Sequence, residues 1–383
     1  MSNSSKVKLP RYIVELTTTQ ACNFRCKYCF ENDKITPEEN LVYKNLDFVK
    51  NQINRIFNDE WFNNKFENFQ IAFWGGEPSL NINMFHDVVG EFEKNERVSF
   101  YIYTNGTMIK EMLPSLLKCK GKKVGGEPKF ITQVSYDGNP VNDVTRIPKN
   151  GRVASQIVRE ALEILKGNEL DFSLKATLEH KNFKYLPEIW DDFYNLYKTY
   201  GKSIKYALTI DYHNIEIEKY YDDLEKALLE VAKKEKEFYK ENKTFLSSIF
   251  EMKKAFCSAG KQSMTIDIDG LIYLCHGCLY SSNKPEFAYS SIFRPEFLDD
   301  LKEKFKEVNT FFIEDCENCV AMLCLRCNVK KYELSNKKIF LDRWNDYTDQ
   351  KELCKYYKLS GRIGRALIEL IKEEKNNAFC MSS

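Results

Sequence analysis

Three cysteines near the N-terminus, Cys22, Cys26 and Cys29, carry the clearest chemistry in the sequence. Their spacing, C-x3-C-x2-C, puts three thiolates on one short loop, and three thiolates can hold three irons of a [4Fe-4S] cube. The fourth iron then has no protein ligand, and an open position on a metal is where a substrate or cofactor coordinates. Zinc is the alternative. Structural zinc takes four protein ligands, commonly in pairs, and no histidine stands close in sequence to complete such a set.

A second group of cysteines lies towards the C-terminus: Cys257, Cys275, Cys278, Cys316, Cys319, Cys324, Cys327 and Cys354. Asp269-Gly270 is a two-residue turn signal between the apolar runs Met264–Ile268 and Leu271–Leu274. The hairpin it implies brings Cys257 and Cys275 towards each other. Cys316-x2-Cys319 and Cys324-x2-Cys327 are paired as in a zinc ribbon, so spacing alone leaves zinc open here as well. His276 follows Cys275 directly, and an imidazole titrates near neutral pH. It can act as a general base or serve as a hydrogen-bonded neighbour of a metal site. His86, His180 and His213 have no motif around them, nor do Cys119 and Cys380.

The elements that position these residues alternate. Apolar runs at Tyr12–Leu16, Phe69–Trp74, Ser99–Tyr103, Phe130–Tyr136, Phe172–Leu178 and Ile204–Ile210 read as strands. Helical spacing fills the gaps at Pro37–Phe57, 83–94, Glu111–Leu117, Val153–Leu165 and Leu186–Tyr197. Strands separated by helices imply parallel βαβ units with right-handed crossovers. Such units put every strand's C-terminal end on one face, and the loops there form the active site. The triad and the Gly-rich turns after the strands fall on that face.

Composition limits the function classes. The chain of 383 residues has 57 Lys plus Arg against 56 Asp plus Glu, a net charge of +1, which argues against a generally basic nucleic-acid binder. No apolar run is long enough to span a membrane, and the polar start has no signal-peptide core, so a cytoplasmic protein is expected. Thirteen cysteines in a reducing compartment point to metal or redox chemistry rather than disulfides.

Four ordered motifs make the sequence resemble the radical SAM superfamily. The triad follows the first strand with Tyr28 before its last cysteine, and Gly75-Gly76-Glu77-Pro78 ends the second strand. Thr104-Asn105-Gly106-Thr107 ends the third, and Ser135-Tyr136-Asp137-Gly138 ends the fourth, followed by Arg146 and a Lys149-Asn150-Gly151 turn. The resemblance implies that S-adenosylmethionine chelates the open iron and is cleaved to methionine and a 5′-deoxyadenosyl radical. It implies that Gly75 and Gly76 let the backbone approach the methionine moiety and that Glu77 faces its ammonium. Ser135 and Arg146 would hold the cofactor, Arg146 through its carboxylate, and Tyr28 would lie beside the adenine.

The later cysteines resemble the SPASM extension of peptide-modifying members, with the third block one residue short at two spacings. By that resemblance Cys316, Cys319, Cys324 and Cys354 take auxiliary cluster II, and Cys257, Cys275 and Cys327 take auxiliary cluster I. Cys278 either completes cluster I or leaves it an open iron for a substrate thiolate. The implied fold is α/β, a partial (β/α)6 TIM barrel with a C-terminal SPASM module. The expected divisions are residues 1–11 as a tail, 12–214 as the barrel, 215–256 as a helical bridge, 257–359 as the SPASM module and 360–383 as a C-terminal helix and tail.

The implied function is a ribosomal-peptide maturase with three [4Fe-4S] clusters that forms a thioether or carbon–carbon cross-link or oxidises a side chain. His276 would be its catalytic residue. An anaerobic sulfatase-maturing enzyme, a radical SAM enzyme acting on a small molecule, and a zinc-bound structural module are the alternatives. Implied partners are a peptide substrate and an electron donor such as flavodoxin or ferredoxin, with no membrane and no nucleic acid. With the first strand starting near Tyr12, no N-terminal leader-binding domain is expected, so the barrel itself or a separate leader-binding protein receives the substrate. The hairpin strands ending near His276, Cys278 and Tyr280 are expected to pair with an extended peptide.

Overall fold

Apolar runs ended by glycine or asparagine turns become the strands of a parallel sheet. The computed structural model describes residues 9–29, 39–201, 206–210, 217–250, 257–280, 287–309 and 347–381. Within them run β1 (Leu9–Thr19), β2 (Phe66–Gly75), β3 (Val98–Thr104), β4 (Phe130–Ser135), β5 (Phe172–Leu178) and β6 (Tyr206–Ile210). Each pairs in parallel with the next, in chain order, and β6 ends the sheet without meeting β1. The result is the open partial barrel expected. Its crossovers contain α1 (Leu46–Asn58), α2 (Ile82–Phe92), α3 (Ile109–Cys119), α4 (Ala154–Gly167) and α5 (Leu186–Tyr200).

Strand alternation sorts the side chains into two layers. Val14, Leu16, Ile71, Phe73, Phe100, Ile102, Val134, Leu174 and Ala176 are buried in one continuous core with helical residues such as Val49, Phe85 and Leu162. The residues between them face the lumen: Glu15, Trp74, Tyr101, Tyr103, Gln133 and Lys175. The outer layer is apolar, whereas the lumen is aromatic and polar.

The C-terminal hairpin joins this sheet. Strand β7 (Ser263–Ile266) pairs in parallel with β1, Glu15 opposite Thr265, and Ile13 N–H donates to the Gln262 carbonyl at 2.7 Å. Strand β8 (Leu271–Tyr273) returns antiparallel to β7, and β9 (Ser290–Ser291) pairs antiparallel with β8. This differs from the expected exposed hairpin. One side of β7 is taken by β1 and one side of β8 by β9, so peptide addition along these paired stretches has no open edge. The reason is the edge of β1, whose backbone groups would otherwise lack partners within the sheet.

Two helices pack beside the barrel. In α6 (Ile217–Asn242) the buried Glu235 accepts hydrogen bonds from Trp190 Nε1 at 2.8 Å, Leu246 N at 2.9 Å and Ser247 N at 2.7 Å. The last helix runs from Tyr347 to Met381, longer than expected and across the anticipated division at 359/360. It buries Tyr356, Leu359, Ile363, Leu367 and Ile371, a stripe at helical spacing. No described helix is long and apolar enough to cross a membrane. Cys316, Cys319, Cys324, Cys327 and His213 lie outside the described residues.

Candidate functional site

The triad loop leaves β1 and is strapped to the segment after β4. Arg25 N donates to Ile147 O at 2.7 Å, Lys27 N to Thr145 O at 2.8 Å and Lys149 N to Asn23 O at 2.9 Å, and Phe24 bridges Pro148. This antiparallel register sets Cys26 opposite Arg146. Cys29 N donates to Cys26 O at 3.0 Å, closing the turn between the last two cysteines, and Phe24 N donates to Cys22 Sγ at 3.4 Å. Burial pushes the Cys22 thiol up to about 12, and the charges of Glu77, Cys26 and Cys29 add to it. A thiol whose charge is opposed by burial and by anionic neighbours fits a site meant for a cationic centre. Among the described residues no group of three or more His, Cys, Asp or Glu is arranged to hold a single metal ion. A cube instead spreads its thiolates over separate irons.

The Gly75-Gly76-Glu77 turn packs on the chain entering that loop. Gly76 N donates to Thr19 O at 3.0 Å and Glu77 N to Ala21 O at 2.8 Å. A Cβ on Gly75 would stand 2.1 Å from the Thr19 carbonyl oxygen, and one on Gly76 would stand 2.4 Å from that of Ala21. The close approach that demands glycine here is to the protein's own backbone. Glu77 is buried and accepts from Ser79 N at 3.2 Å, Ser79 Oγ at 2.5 Å, Thr104 Oγ1 at 2.7 Å and Asn105 N at 2.7 Å. Burial raises its carboxyl and these donors oppose the rise. Glu77 thus ties the β2 turn to the Thr104-Asn105 turn.

Asp137 is the second hub. Its Oδ1 accepts from Arg146 Nη2 and Thr177 N, both at 2.8 Å, and its Oδ2 from Tyr28 Oη at 2.7 Å and Thr145 Oγ1 at 2.9 Å. The Arg146 guanidinium also lies over the Tyr28 ring, 5.5 Å from its centroid. Arg146 is buried. One nitrogen of its fork is committed to Asp137, and its Nε is buried without a hydrogen bond. The free fork expected for a cofactor carboxylate is therefore only partly available. Ser135 ends β4 directly opposite Lys175 of β5. Burial lowers the Lys175 ammonium below its ordinary range, Arg146 adds to that, and Glu15 offsets part of it.

The hairpin brings its chemistry to the same lumen. His276 Nδ1 lies 3.0 Å from Glu15 Oε2, and His276 N donates to the same oxygen at 3.3 Å. Burial works against the Glu15 charge, but His276 and Thr265 together hold its carboxyl below the usual carboxylate range. Against a carboxylate the Nδ1 carries the hydrogen. The His276 ring stacks on Trp74 at 3.8 Å, and the row continues to Tyr103 at 4.8 Å and Tyr101 at 4.9 Å. Just beside it, Cys278 N donates to Cys275 O at 3.0 Å, the same turn that joins Cys26 and Cys29. Cys278 is fully buried in a cluster against which Cys257 and Cys275 pack. Cys354, on the last helix, is half-buried. His86, on α2, shares a hydrogen bond with Ser115 Oγ of α3 at 2.7 Å.

The family model for the radical SAM superfamily matches residues 16–224, more than half of the chain. The chain belongs to the radical SAM superfamily. Among curated relatives, the radical SAM cyclopropyl synthase TigE of Paramaledivibacter caminithermalis is 25% identical, over 95% of this chain and 74% of its own length. An uncharacterized protein of Methanocaldococcus jannaschii, MJ0907, is 31% identical over 45% of this chain, which spans about half of that relative (55%). Among solved structures, anSMEcpe with bound AdoMet and the Cp18Cys peptide superposes with a TM-score of 0.66 at 17% identity, over 95% of this chain and 99% of that one. That likeness is one of fold. The radical SAM resemblance read from the motifs thus holds, and with it a [4Fe-4S] cluster and S-adenosylmethionine as the family's cofactors.

Glu15, Trp74, Tyr103 and Lys175 are the site residues that sequence reasoning passed over. Each sits inside an apolar strand. The signal was present as a charge in Tyr-Ile-Val-Glu-Leu and another in Phe-Ser-Leu-Lys-Ala, since a charged residue in a buried strand needs a polar face to point at.

Proposed function

We propose that this radical SAM protein abstracts a hydrogen atom from a peptide substrate and so forms a thioether or carbon–carbon cross-link or an oxidised side chain. The observation that carries this reading is the double use of β1. Its C-terminal end leads into the triad, and its Glu15 holds His276 of the hairpin, so both cysteine-bearing segments are anchored to one strand of the lumen. The cyclopropyl synthesis for which TigE is named and the peptide bound to anSMEcpe support a radical reaction on a peptide.

In this reading Cys22, Cys26 and Cys29 hold the cluster whose bound S-adenosylmethionine supplies the 5′-deoxyadenosyl radical. Tyr28 lines the adenine side, fixed there by Asp137. Ser135 and Lys175 face the cofactor from neighbouring strands, and Arg146 offers its remaining donors. Gly75, Gly76 and Glu77 shape the turn beneath. Cys257, Cys275, Cys278 and Cys327 take auxiliary cluster I, with the Cys275–Cys278 turn favouring Cys278 as a ligand over an open iron. Cys316, Cys319, Cys324 and Cys354 take auxiliary cluster II, for three clusters in all. His276 accepts a proton at Nε2 while Glu15 fixes its ring. The barrel, residues 12–214, serves the radical and 257–359 the auxiliary clusters, joined by residues 215–256, which include α6.

The test is anaerobic. Protein reconstituted with iron and sulfide should be brown and, with a reductant, convert S-adenosylmethionine to 5′-deoxyadenosine. Replacing Cys22, Cys26 and Cys29 by alanine should abolish that conversion. Zinc with negligible iron after anaerobic isolation contradicts the reading.

A further inference from the structure

Among the described residues the charges of the lumen are matched to one another, apart from one. Arg146 Nη2 donates to Asp137 Oδ1, and Asp137 takes up three further donors. Glu15 Oε2 accepts from Thr265 Oγ1, His276 N and His276 Nδ1. The wall between them is neutral, with Trp74, Tyr103 and a Tyr101 hydroxyl that donates to Gln133 Oε1 at 2.7 Å. Lys175 is the exception. Leu174 and Ala176 on either side of it are buried in the outer core, so strand alternation turns Lys175 into the lumen. Its Nζ makes no hydrogen bond and no ion pair among the described residues. Burial opposes the charge of this ammonium and Arg146 adds to the opposition, while Glu15 offsets part of it. Taking a cation out of water without a counter-charge is costly, and such a group in a cleft marks where a ligand can supply the missing charge.

We infer that Lys175 binds a carboxylate of the substrate, carried into the lumen as an aspartate or glutamate side chain of the peptide. The inference rests on the peptide reading above and names the chemistry of the residue that enters. Position separates this carboxylate from the cofactor's. Arg146 is strapped opposite Cys26 and lies over the Tyr28 ring, which makes it the cation at the triad end. The Lys175 ammonium feels Arg146 on one side and Glu15 on the other, so it stands between the triad end and the hairpin. Glu15 is already committed to His276 and Thr265 and leaves the ammonium to an incoming acid. A lysine suits that task, because a point charge on a flexible stem can follow a carboxylate as the peptide settles. The row Tyr101, Tyr103 and Trp74 offers the methylene part of the same side chain an apolar wall. No bond is made or broken at Lys175.

The experiment is amine labelling of the iron-loaded enzyme without oxygen, using N-hydroxysuccinimidyl acetate, with the exposed Lys118 as internal reference. Peptide mapping reads the two rates. With S-adenosylmethionine present, the capped tripeptide Ala-Glu-Ala should slow acetylation of Lys175 about fivefold or more, because a paired ammonium stays protonated. Capped Ala-Gln-Ala, which brings no charge, should leave the rate within about twofold. Equal slowing by the two peptides overturns the inference and leaves the proposed function in place. So does a rate that neither peptide nor glutarate changes. Slowing by glutarate but by neither peptide would instead refute the peptide substrate, with the carboxylate site intact. Without peptide, S-adenosylmethionine and its decarboxylated analogue, both saturating, should act alike; greater slowing by the first would give Lys175 to the cofactor's carboxylate and overturn the inference. Lys175→Met should unfold at no lower denaturant concentration than wild type, since it removes an unpaired charge. A clear loss of stability would give the ammonium a structural partner and overturn the inference as well.

Discussion

Single residues in this site act mostly by holding others. Cys22 illustrates the cost of building a metal site before the metal arrives. With its thiol pushed from 9.0 up to about 12 by burial, apo-protein has very little thiolate there at neutral pH. Iodoacetamide at pH 8 should label Cys22 at least about a hundredfold more slowly than the exposed Cys29, with labelling rising only as pH climbs towards that value. Peptide mapping reads the ratio, and equal rates would show that the thiol is not buried. Asp137 makes the complementary case. Replacing it by alanine strands the buried Arg146 guanidinium and should destabilise the fold by about 3–5 kcal/mol. Asp137→Ala combined with Arg146→Met should cost less than the sum of the two single changes. Additive losses in denaturant unfolding would mean that the pair is not coupled.

Elements place these residues through contacts far apart in the chain. Glu15 joins β1 to a histidine 261 positions later, and that carboxylate adds to the β1–β7 ladder in docking the hairpin on the barrel. Glu15→Leu should loosen residues 263–276, read as faster amide exchange there, while β2 to β5 keep their protection. Glu15→Gln retains an acceptor and should loosen them less. Unaltered exchange in the leucine variant would assign the docking to the β1–β7 ladder alone. Gly76→Ala should destabilise by about 1–3 kcal/mol or more, because its Cβ meets fixed backbone carbonyls.

The same elements show what the sequence made legible. The strands were readable because each apolar run stops at a turn residue, as Phe69–Trp74 stops at Gly75. The lumen was harder to read. Strands buried on both faces look continuously apolar, so Trp74 and Tyr103 could not be told from core until their neighbours were known. The protein partners of Glu77 and Arg146 were hidden for a related reason. A motif shows that a charge is required, but the choice between Asp137 and a cofactor is made by tertiary contact. The parallel pairing of β7 with β1 is likewise decided by an open sheet edge, not by anything local in Ser263–Ile266.

At the scale of the whole molecule, one strand anchors the triad loop and the cysteine-bearing hairpin around a polar, aromatic lumen. If that assembly carries three cubes, reconstituted protein should hold about 12 irons per chain, falling to about 8 when the triad cysteines are replaced. The Cys278→Ala variant should keep cleavage of S-adenosylmethionine while the electron paramagnetic resonance of one auxiliary cluster changes. The central claim is that the radical is spent on a peptide. Candidate peptides deuterated at the reacting carbons, incubated with the reconstituted enzyme, S-adenosylmethionine and reductant, test it most directly. The account predicts deuterium in the 5′-deoxyadenosine and a matching mass change in the peptide. No transfer from any peptide, together with transfer from a labelled small metabolite, would contradict it.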